Sequence, residues 1–171
     1  LEMGLGKTYT TCVALRKLFE HSSERYGKIL VVAPVAVLEF WREEFQSAGF
    51  KGKVCIYHGD YKDEAIPIAD CDVAISSYDG VVDSDVSLFN SVVLDEAHVL
   101  RNGGKGKLFN FFKTNLSTKT CRIAITGTPI NNNVRDIYNL FEFVQPNYLG
   151  PPRDFNTFYN LPIQRGLKPE A

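Results

Sequence analysis

Two adjacent carboxylates follow a short apolar run in the second half of the sequence. The run at residues 91–94 ends directly at Asp95 and Glu96, which places both side chains at the carboxyl end of a predicted strand. One carboxylate in such a place can hold a hydrated Mg²⁺, and its neighbour can orient and deprotonate an attacking water. We assign the first role to Asp95 and the second to Glu96. For these two residues taken alone, a solvated acidic turn is the alternative.

A second candidate lies at the start of the sequence, in the stretch Gly4, Leu5, Gly6, Lys7 and Thr8. Small residues there can bring backbone N–H groups around phosphate oxygens at the positive end of a helix. Lys7 can reach the β- and γ-phosphates, and the hydroxyl of Thr8 can bind Mg²⁺. The full G-x-x-x-x-G-K-[ST] pattern needs a glycine where this chain has Leu1, so a plain helix start is the alternative interpretation.

A third stretch with hydroxyl groups follows the apolar run at residues 123–125. It consists of Thr126, Gly127 and Thr128, before Pro129. Hydroxyls in a tight turn at a strand end can sense a nucleotide and pass its state to another surface, although alone the stretch would be only a turn. Because the Gly-Lys-Thr stretch and the carboxylate pair occur together in one chain, we favour a nucleotide-hydrolysing site over the separate structural interpretations.

The elements that must position these residues alternate along the chain. Nearly continuous apolar runs predict strands buried on both faces of a parallel sheet, at residues 29–33, 54–57, 73–76, 92–94 and 123–126. Between them, apolar residues recur at helical spacing, as at Leu38, Trp41 and Phe45. The alternation predicts βαβ units in an α/β fold, with ligands at the carboxyl ends of the strands. Trp41 is expected in the core because it is in register with Leu38 and Phe45.

Two further helices and an arm complete the predicted organisation. One helix is expected over residues 9–20, and the last one is expected to follow caps at residues 131–133 and to bury Ile137, Leu140, Phe141 and Val144. From residue 146 onward, repeated prolines and the loss of apolar period predict an extended arm. We therefore divide the chain into a lobe at residues 1–145 and a connector at residues 146–171.

Composition and charge are those of an ordinary globular domain. The 171 residues are 44% hydrophobic and 23% charged, which suits one domain with one core. A net charge of −1 means that any nucleic-acid contact must use a local patch, backbone N–H groups or hydroxyls. No apolar run approaches the ~20 residues of a membrane span, so we expect no membrane partner. Without C-x-x-C spacing, buried free thiols in a cytosolic or nuclear compartment are predicted at Cys12, Cys55, Cys71 and Cys121.

The three stretches in this order resemble the first RecA-like lobe of a superfamily 2 helicase-type ATPase, and more narrowly the Swi/Snf family of double-stranded DNA translocases. Residues 2–8 are similar to motif I of that family, and residues 126–133 to motif III with its run of asparagines. Residues 30–34 and 72–78 are similar to motifs Ia and Ib. The resemblance implies a RecA-like P-loop NTPase lobe that is incomplete at its N-terminus, without the strand before motif I and the adenine-reading glutamine motif.

The resemblance also implies the ligands and the roles of particular residues. ATP and Mg²⁺ are the expected cofactors, and His98 is expected to couple the ATP site to the turn at Thr126, Gly127 and Thr128. DNA contacts that are blind to sequence are implied for Pro34, Val35, Ser76, Ser77 and Tyr78. Independently of the family, Lys105 and Lys107 add a local basic element after the carboxylate pair, for which a solvated loop is the alternative.

The implied partners are double-stranded DNA, a second RecA-like lobe in the same parent chain, and nucleosomes or the transcription and repair machinery, all in the nucleus. The second lobe would supply arginines, and an arginine finger contributes on the order of 10³ to 10⁵ in rate. We therefore expect these residues alone to be a poor ATPase. Residues 162–166 resemble the subgroup of the Cockayne syndrome group B protein.

Two other functions remain open at this stage. A DEAH-type RNA helicase lobe shares the tetrapeptide at residues 95–98, but the asparagine run at residues 131–133 is not expected of it. A degenerate lobe that serves as a binding scaffold is compatible with the incomplete pattern at Leu1. A scaffold, however, has no need of Lys7, Thr8 and the two carboxylates together.

Overall fold

A five-stranded parallel sheet forms the centre of the protein. The computed structural model describes residues 6–58, 66–82, 86–102, 110–116, 119–129 and 134–166. The strands are β1 (Lys28–Val32), β2 (Val54–Tyr57), β3 (Val73–Ser76), β4 (Phe89–Leu94) and β5 (Cys121–Ala124), in the order β2-β3-β1-β4-β5. All four neighbouring pairs are parallel. The predicted α/β fold with a parallel sheet is thus confirmed, and only β4 begins well outside its predicted run.

The helices are α1 (Lys7–His21), α2 (Ser23–Tyr26), α3 (Leu38–Ser47), α4 (Tyr78–Val81), α5 (Arg135–Val144), α6 (Pro152–Phe155) and α7 (Leu161–Gln164). Short 3₁₀ turns occur at Val35–Val37, Ile68–Asp70 and Ala97–Asn102, and π turns at Phe112–Leu116 and Asn156–Asn160. Within the described ranges, no helix combines the length and the apolar content that crossing a bilayer requires.

The sheet is covered on both faces by buried side chains. Successive strand residues point to opposite sides, so each strand contributes to both layers. Ile29 and Val31 of β1 belong to a cluster with buried side chains of α1 and α3, while Leu30 and Val32 belong to a second cluster with α5. Burying each such side chain contributes about 1.5–3 kcal/mol. In contrast to the buried central strands, every residue of β5 is partly exposed. The packing therefore fixes β1 and β4 most firmly, and these strands support the predicted site.

The carboxyl ends of three neighbouring strands meet at one edge of the sheet. Val32 pairs with Leu94, and Leu94 pairs with Ala124. Beyond the strands, the N–H of Asp95 donates to the carbonyl of Val32 at 2.8 Å, and the N–H of Ile125 donates to the carbonyl of Leu94 at 2.8 Å. This register places the residues that follow β4 and β5 side by side.

The predicted apolar face of the last helix is partly wrong. Leu140 of α5 is buried as expected, but Phe141 and Val144 are 38% and 37% exposed. Phe143 is buried instead and packs against Phe112, with ring centroids 6.5 Å apart. The predicted caps at residues 131–133 lie outside the described residues.

The prediction of an extended arm is wrong for residues 152–164, which are helical. Pro152 and Pro162 occupy the first turns of α6 and α7, where a missing N–H is tolerated. The segment also contacts the lobe, since the ring of Phe155 lies 4.9 Å from that of Tyr138 and Phe155 is buried. A high proline content is typical of loops, but prolines also occur at helix starts, and this is why the composition of the segment led to the wrong prediction.

The prediction of four free thiols is wrong for Cys55 and Cys71, which form a disulfide with Cα atoms 6.2 Å apart. Cys55 lies on β2 opposite Ala74, and Cys71 lies two residues before the start of β3, so strand pairing brings the two cysteines together. Cys12 and Cys121 are free, as predicted. Burial, and secondarily the charge of Glu44, raises the pKa of the Cys12 thiol to about 12.

Candidate active site

A cavity of about 370 Å³ lies beside the carboxyl end of β4. Its walls are formed by Gly6, Lys7, Thr8, Tyr9, Val37, Phe40, Glu44, Asp95 and Glu96. A volume of this size is within the range of small-molecule sites. The structure thus brings the described part of the Gly-Lys-Thr stretch and the carboxylate pair to one cavity, while Gly4 and Leu5 lie outside the described residues.

The first turn of α1 presents backbone N–H groups to this cavity. Gly6 precedes the helix in the left-handed region, with φ 66° and ψ 31°, a conformation that suits glycine. Gly6 at the N-cap position has no side chain that could cap these N–H groups, and the first turn contains no acidic residue. The positive end of a 15-residue helix, with Lys7 beside it, can therefore accept phosphate oxygens.

Asp95 is held at both its carboxylate and its backbone. Its Oδ2 accepts from the indole Nε1 of Trp41 at 2.9 Å, and its Oδ1 accepts from the N–H of Glu96 at 2.9 Å. The hydroxyl of Tyr78 donates to the carbonyl of Asp95. Burial raises the pKa of the Asp95 carboxyl above its ordinary value, and the hydrogen bonds from Trp41 and Glu96 act in the opposite direction.

The donor chemistry of the cavity suits Mg²⁺. This ion prefers oxygen ligands and is commonly held by one or two carboxylates together with substrate phosphates. The carboxylate of Asp95 and the hydroxyl of Thr8 are such ligands and line the same cavity. The two hydrogen bonds to Asp95 use about half of the acceptor positions of a carboxylate, which has about four. Across the described ranges, no group of three His, Cys, Asp or Glu side chains is arranged to hold a metal.

Glu96 is positioned quite differently from Asp95. Its backbone has φ 51°, which is unusual for a residue other than glycine and costs on the order of 1 kcal/mol or more. Its Oε2 lies 2.9 Å from Nδ1 of His98, and both side chains are more than a third exposed. The left-handed turn thus brings the second carboxylate to the cavity wall, where water can reach it.

The turn after β5 is joined to the carboxylate pair through the backbone. The N–H of Ala97 donates to the carbonyl of Ile125 at 2.8 Å, immediately before Thr126. The N–H of Thr128 donates to Oγ1 of Thr126 at 3.1 Å, which closes the predicted turn around Gly127. His98 contacts Glu96, so the coupling role implied for His98 would begin at this carboxylate.

The residues implied in DNA contact fall into two groups. Val35 is 48% exposed and follows the partly exposed Pro34 at the start of a 3₁₀ turn. Ser76 and Ser77 are only 4% and 2% exposed. Ser76 donates to the carbonyl of Tyr57 at 2.9 Å, so its hydroxyl is used within the protein.

Ser77 and Tyr78 are also bonded internally. The hydroxyl of Ser77 accepts from the N–H of Gly80 at 3.0 Å, which caps α4, and lies 2.6 Å from Nδ1 of His58. The hydroxyl of Tyr78 is bonded to Asp95. These hydroxyls are thus committed to internal bonds, and DNA contact at this strand end stays a prediction. Lys105 and Lys107 lie outside the described residues.

The sequence did not indicate the hydrogen bonds that Trp41 and Tyr78 donate to Asp95. It also did not indicate that two aromatic side chains form part of the cavity wall. The apolar spacing correctly predicted that Trp41 is buried, with 0% exposure, but it did not indicate the partner of the indole N–H. The only available signal was that a buried indole N–H needs an acceptor. Tyr9 and Phe40 line the cavity and are 46% and 47% exposed.

Known proteins are similar to this chain in sequence and in fold. The sequence pattern of the SNF2-related domain matches residues 2–170. The chain is 32% identical to the human SWI/SNF-related matrix-associated actin-dependent regulator of chromatin subfamily A member 1, over 93% of this chain and 16% of that protein. It is 34% identical to the chicken DNA repair and recombination protein RAD54B, over 99% of this chain and 19% of that protein.

A solved structure gives the same fold. The Sulfolobus solfataricus SWI2/SNF2 ATPase core in complex with dsDNA superposes with a TM-score of 0.82 and 29% sequence identity, over 98% of this chain and 35% of that one. The RecA-like architecture implied by the sequence is thus confirmed. The chain spans only about a third of that structure and less than a fifth of the two relatives above.

Proposed function

The chain belongs to the SNF2-related domain family, and we propose that it is the first ATP-binding lobe of a Swi/Snf-type translocase that moves along double-stranded DNA. The observation that carries this proposal is the convergence of Lys7, Thr8, Asp95 and Glu96 on one cavity of nucleotide-binding size. Hydrolysis of ATP at this cavity, between this lobe and a second one, would drive the movement.

The residues of the cavity divide the work of hydrolysis. The N–H groups at the start of α1 and the Lys7 ammonium bind the phosphates, while Asp95 and the Thr8 hydroxyl would hold Mg²⁺. That ion would neutralise charge on the phosphate oxygens. Glu96 orients a water and takes its proton as the water oxygen attacks the γ-phosphorus and ADP leaves. The His98 ring, whose Nδ1 lies 2.9 Å from Oε2 of Glu96, holds that carboxylate in place.

The second lobe and the polymer are supplied from outside these residues. We propose that a second RecA-like lobe contributes the arginines, so these 171 residues alone would hydrolyse ATP poorly. Double-stranded DNA is the favoured polymer because the similar Sulfolobus ATPase core is a complex with dsDNA. The exposed Pro34–Val35 step and the basic Lys105 and Lys107 are the proposed contacts on this lobe.

The relatives support a proposal for the cellular setting. One is a regulator of chromatin and another a DNA repair and recombination protein, which supports nucleosomes or repair machinery as partners and a nuclear location. The narrower assignment to the Cockayne syndrome group B-like subgroup rests on residues 162–166 alone. Membership of the SNF2-related family favours the translocase over a DEAH-type RNA helicase.

Steady-state ATP hydrolysis by the protein that contains this lobe tests the proposal, with duplex DNA, single-stranded DNA or RNA added. Glu96→Gln should lower the duplex-stimulated rate by about 10² to 10⁴, the usual contribution of a general base. Glu20→Gln is the matched control, because Glu20 lies on the exposed side of α1 and pairs with Arg16. Stimulation by RNA would support the helicase, and hydrolysis with none of the polymers would support a scaffold.

A further inference from the structure

The indole of Trp41 is buried in the core, yet its one polar atom is bonded to a carboxylate that lines the cavity. Nε1 of Trp41 lies 2.9 Å from Oδ2 of Asp95. We propose that Trp41 is a positioning residue for the metal-binding carboxylate, which it holds in the orientation that receives Mg²⁺. This inference rests on the proposed function, because it deepens the role assigned there to Asp95.

The two hydrogen bonds to the carboxylate act on different oxygens. The N–H of Glu96 holds Oδ1 from within the same turn, whereas Trp41 holds Oδ2 from α3, on another element. With only the first bond, the carboxylate can turn about its Cβ–Cγ bond. With both, its plane is fixed, and the remaining lone pairs keep one direction. A fixed ligand loses less entropy when Mg²⁺ binds.

Trp41 itself has little freedom to follow the carboxylate. Its side chain is 0% exposed and belongs to the core cluster between the sheet and the helices α1 and α3. Phe45, one turn further along α3, packs against it with ring centroids 6.1 Å apart. A buried donor without its acceptor would bear the full cost of desolvation, so the bond to Asp95 persists. The indole is therefore a rigid support for a residue at the cavity wall.

Trp41→Phe removes the N–H while it keeps an aromatic ring in the core. We expect the variant to bind ADP in EDTA within about twofold of the wild-type affinity. In Mg²⁺, it should need about tenfold more of the ion for half-maximal binding of a fluorescent ADP analogue, as expected from the loss of about 1.4 kcal/mol. The matched control is Phe50→Leu, which disturbs the same core cluster but packs against Phe19 and Phe45, and it should leave the Mg²⁺ dependence unchanged.

A merely structural role for Trp41 predicts a different result. Binding would then weaken equally with and without Mg²⁺, and Phe50→Leu would behave like Trp41→Phe. Either outcome overturns the inference while nucleotide binding by the wild-type chain still supports the proposed function. If the wild-type chain binds no nucleotide in Mg²⁺, the proposed function and this inference both fail.

A measurement on the unmodified chain covers the case in which Trp41→Phe does not fold. Trp41 is the only tryptophan of the 171 residues, so the intrinsic fluorescence of the chain reports on the neighbour of Asp95. A divalent cation at that carboxylate changes the field at the indole. We expect the emission to shift when Mg²⁺ and ADP are added together and to stay constant with ADP in EDTA. Equal spectra in the two conditions, with binding verified by the fluorescent analogue, would overturn the inference.

Discussion

The ends of β4 and β3 resemble each other in sequence and differ in what they do with their polar groups. β4 is followed directly by Asp95 and Glu96, which line the cavity. β3 ends at Ser76 and is followed by Ser77, and the hydroxyls of both serines are buried and bonded to other parts of the protein. A polar residue after a buried strand is therefore equally compatible with a site and with an internal anchor.

The difference has a physical cause in the backbone after each strand. After β3, the chain enters α4 at once, and Ser77 caps that helix by accepting from the N–H of Gly80. After β4, Glu96 adopts a left-handed conformation, and the 3₁₀ turn begins only at Ala97. The Glu96 carboxylate thereby lies at the cavity wall. The two strand ends should therefore respond in opposite ways to substitution.

The largest effect is expected at the end of β4, from Asp95→Asn. ATP hydrolysis should fall by roughly 10³-fold, because the neutral amide is a poor Mg²⁺ ligand and the ion supplies several kcal/mol. Stability in EDTA should fall by about 1–3 kcal/mol at most, because the amide has one oxygen in place of two and leaves the N–H of Trp41 or of Glu96 without its acceptor, while relief of the buried charge offsets part of this loss. Turnover assays and thermal unfolding in EDTA measure the two effects.

Asp79→Asn supplies the matched control at the other strand end. Asp79 is exposed in the first turn of α4 and lies away from the cavity walls. Its substitution should change turnover by less than twofold. If Asp95→Asn were to unfold the chain instead of silencing it, Asp95 would be an internal anchor like Ser77, and the contrast between the two strand ends would disappear.

A smaller effect, on stability, is expected at the end of β3, from Ser77→Ala. The helix cap and the contact with His58 are lost, so the free energy of unfolding should fall by about 1–2 kcal/mol. Denaturant titration measures this loss. Ser47→Ala, an exposed serine at the end of α3, should change it by less than about 0.5 kcal/mol.

DNA binding by the same Ser77→Ala variant decides whether β3 also ends in a contact site. An internal anchor leaves the salt dependence of DNA affinity unchanged, because no phosphate contact is lost. A weaker affinity at unchanged stability would show that the Ser77 hydroxyl reaches DNA. It would make the two strand ends alike.

The sequence predicted what depends on local pattern. Apolar runs predicted the parallel strands, and a parallel sheet collects its carboxyl ends at one edge, so the proximity of the residues after β4 to those after β5 was foreseeable. The disulfide was not, because Cys55 and Cys71 become neighbours only through the order of β2 and β3 in the sheet. The hydrogen bond from Trp41 to Asp95 could not be predicted either. Helical spacing predicts which face of α3 is buried, but it does not predict which residues pack against that face.

Two glycines offer the finest test of the contrast between the strand ends. At Gly6 of the cavity, an added Cβ meets no atom of the described residues within 4 Å, so against these residues Gly6→Ala costs only the strain of φ 66°, about 1 kcal/mol. At Gly80, an added Cβ would lie 2.9 Å from Oγ of Ser76 and 3.1 Å from Oγ of Ser77, where both hydroxyls are already bonded.

Gly80→Ala should therefore destabilise the chain by about 1–3 kcal/mol through overpacking, although alanine favours a helix more than glycine does. The double variant Ser77→Ala with Gly80→Ala separates overpacking from the helix effect, because it removes one of the two crowding hydroxyls. The second substitution should then cost less in the Ser77→Ala background than in the wild type, as measured by a double-mutant cycle in denaturant. Strict additivity would mean that Ser77 does not crowd Gly80, and the packed anchor described for β3 would be incorrect.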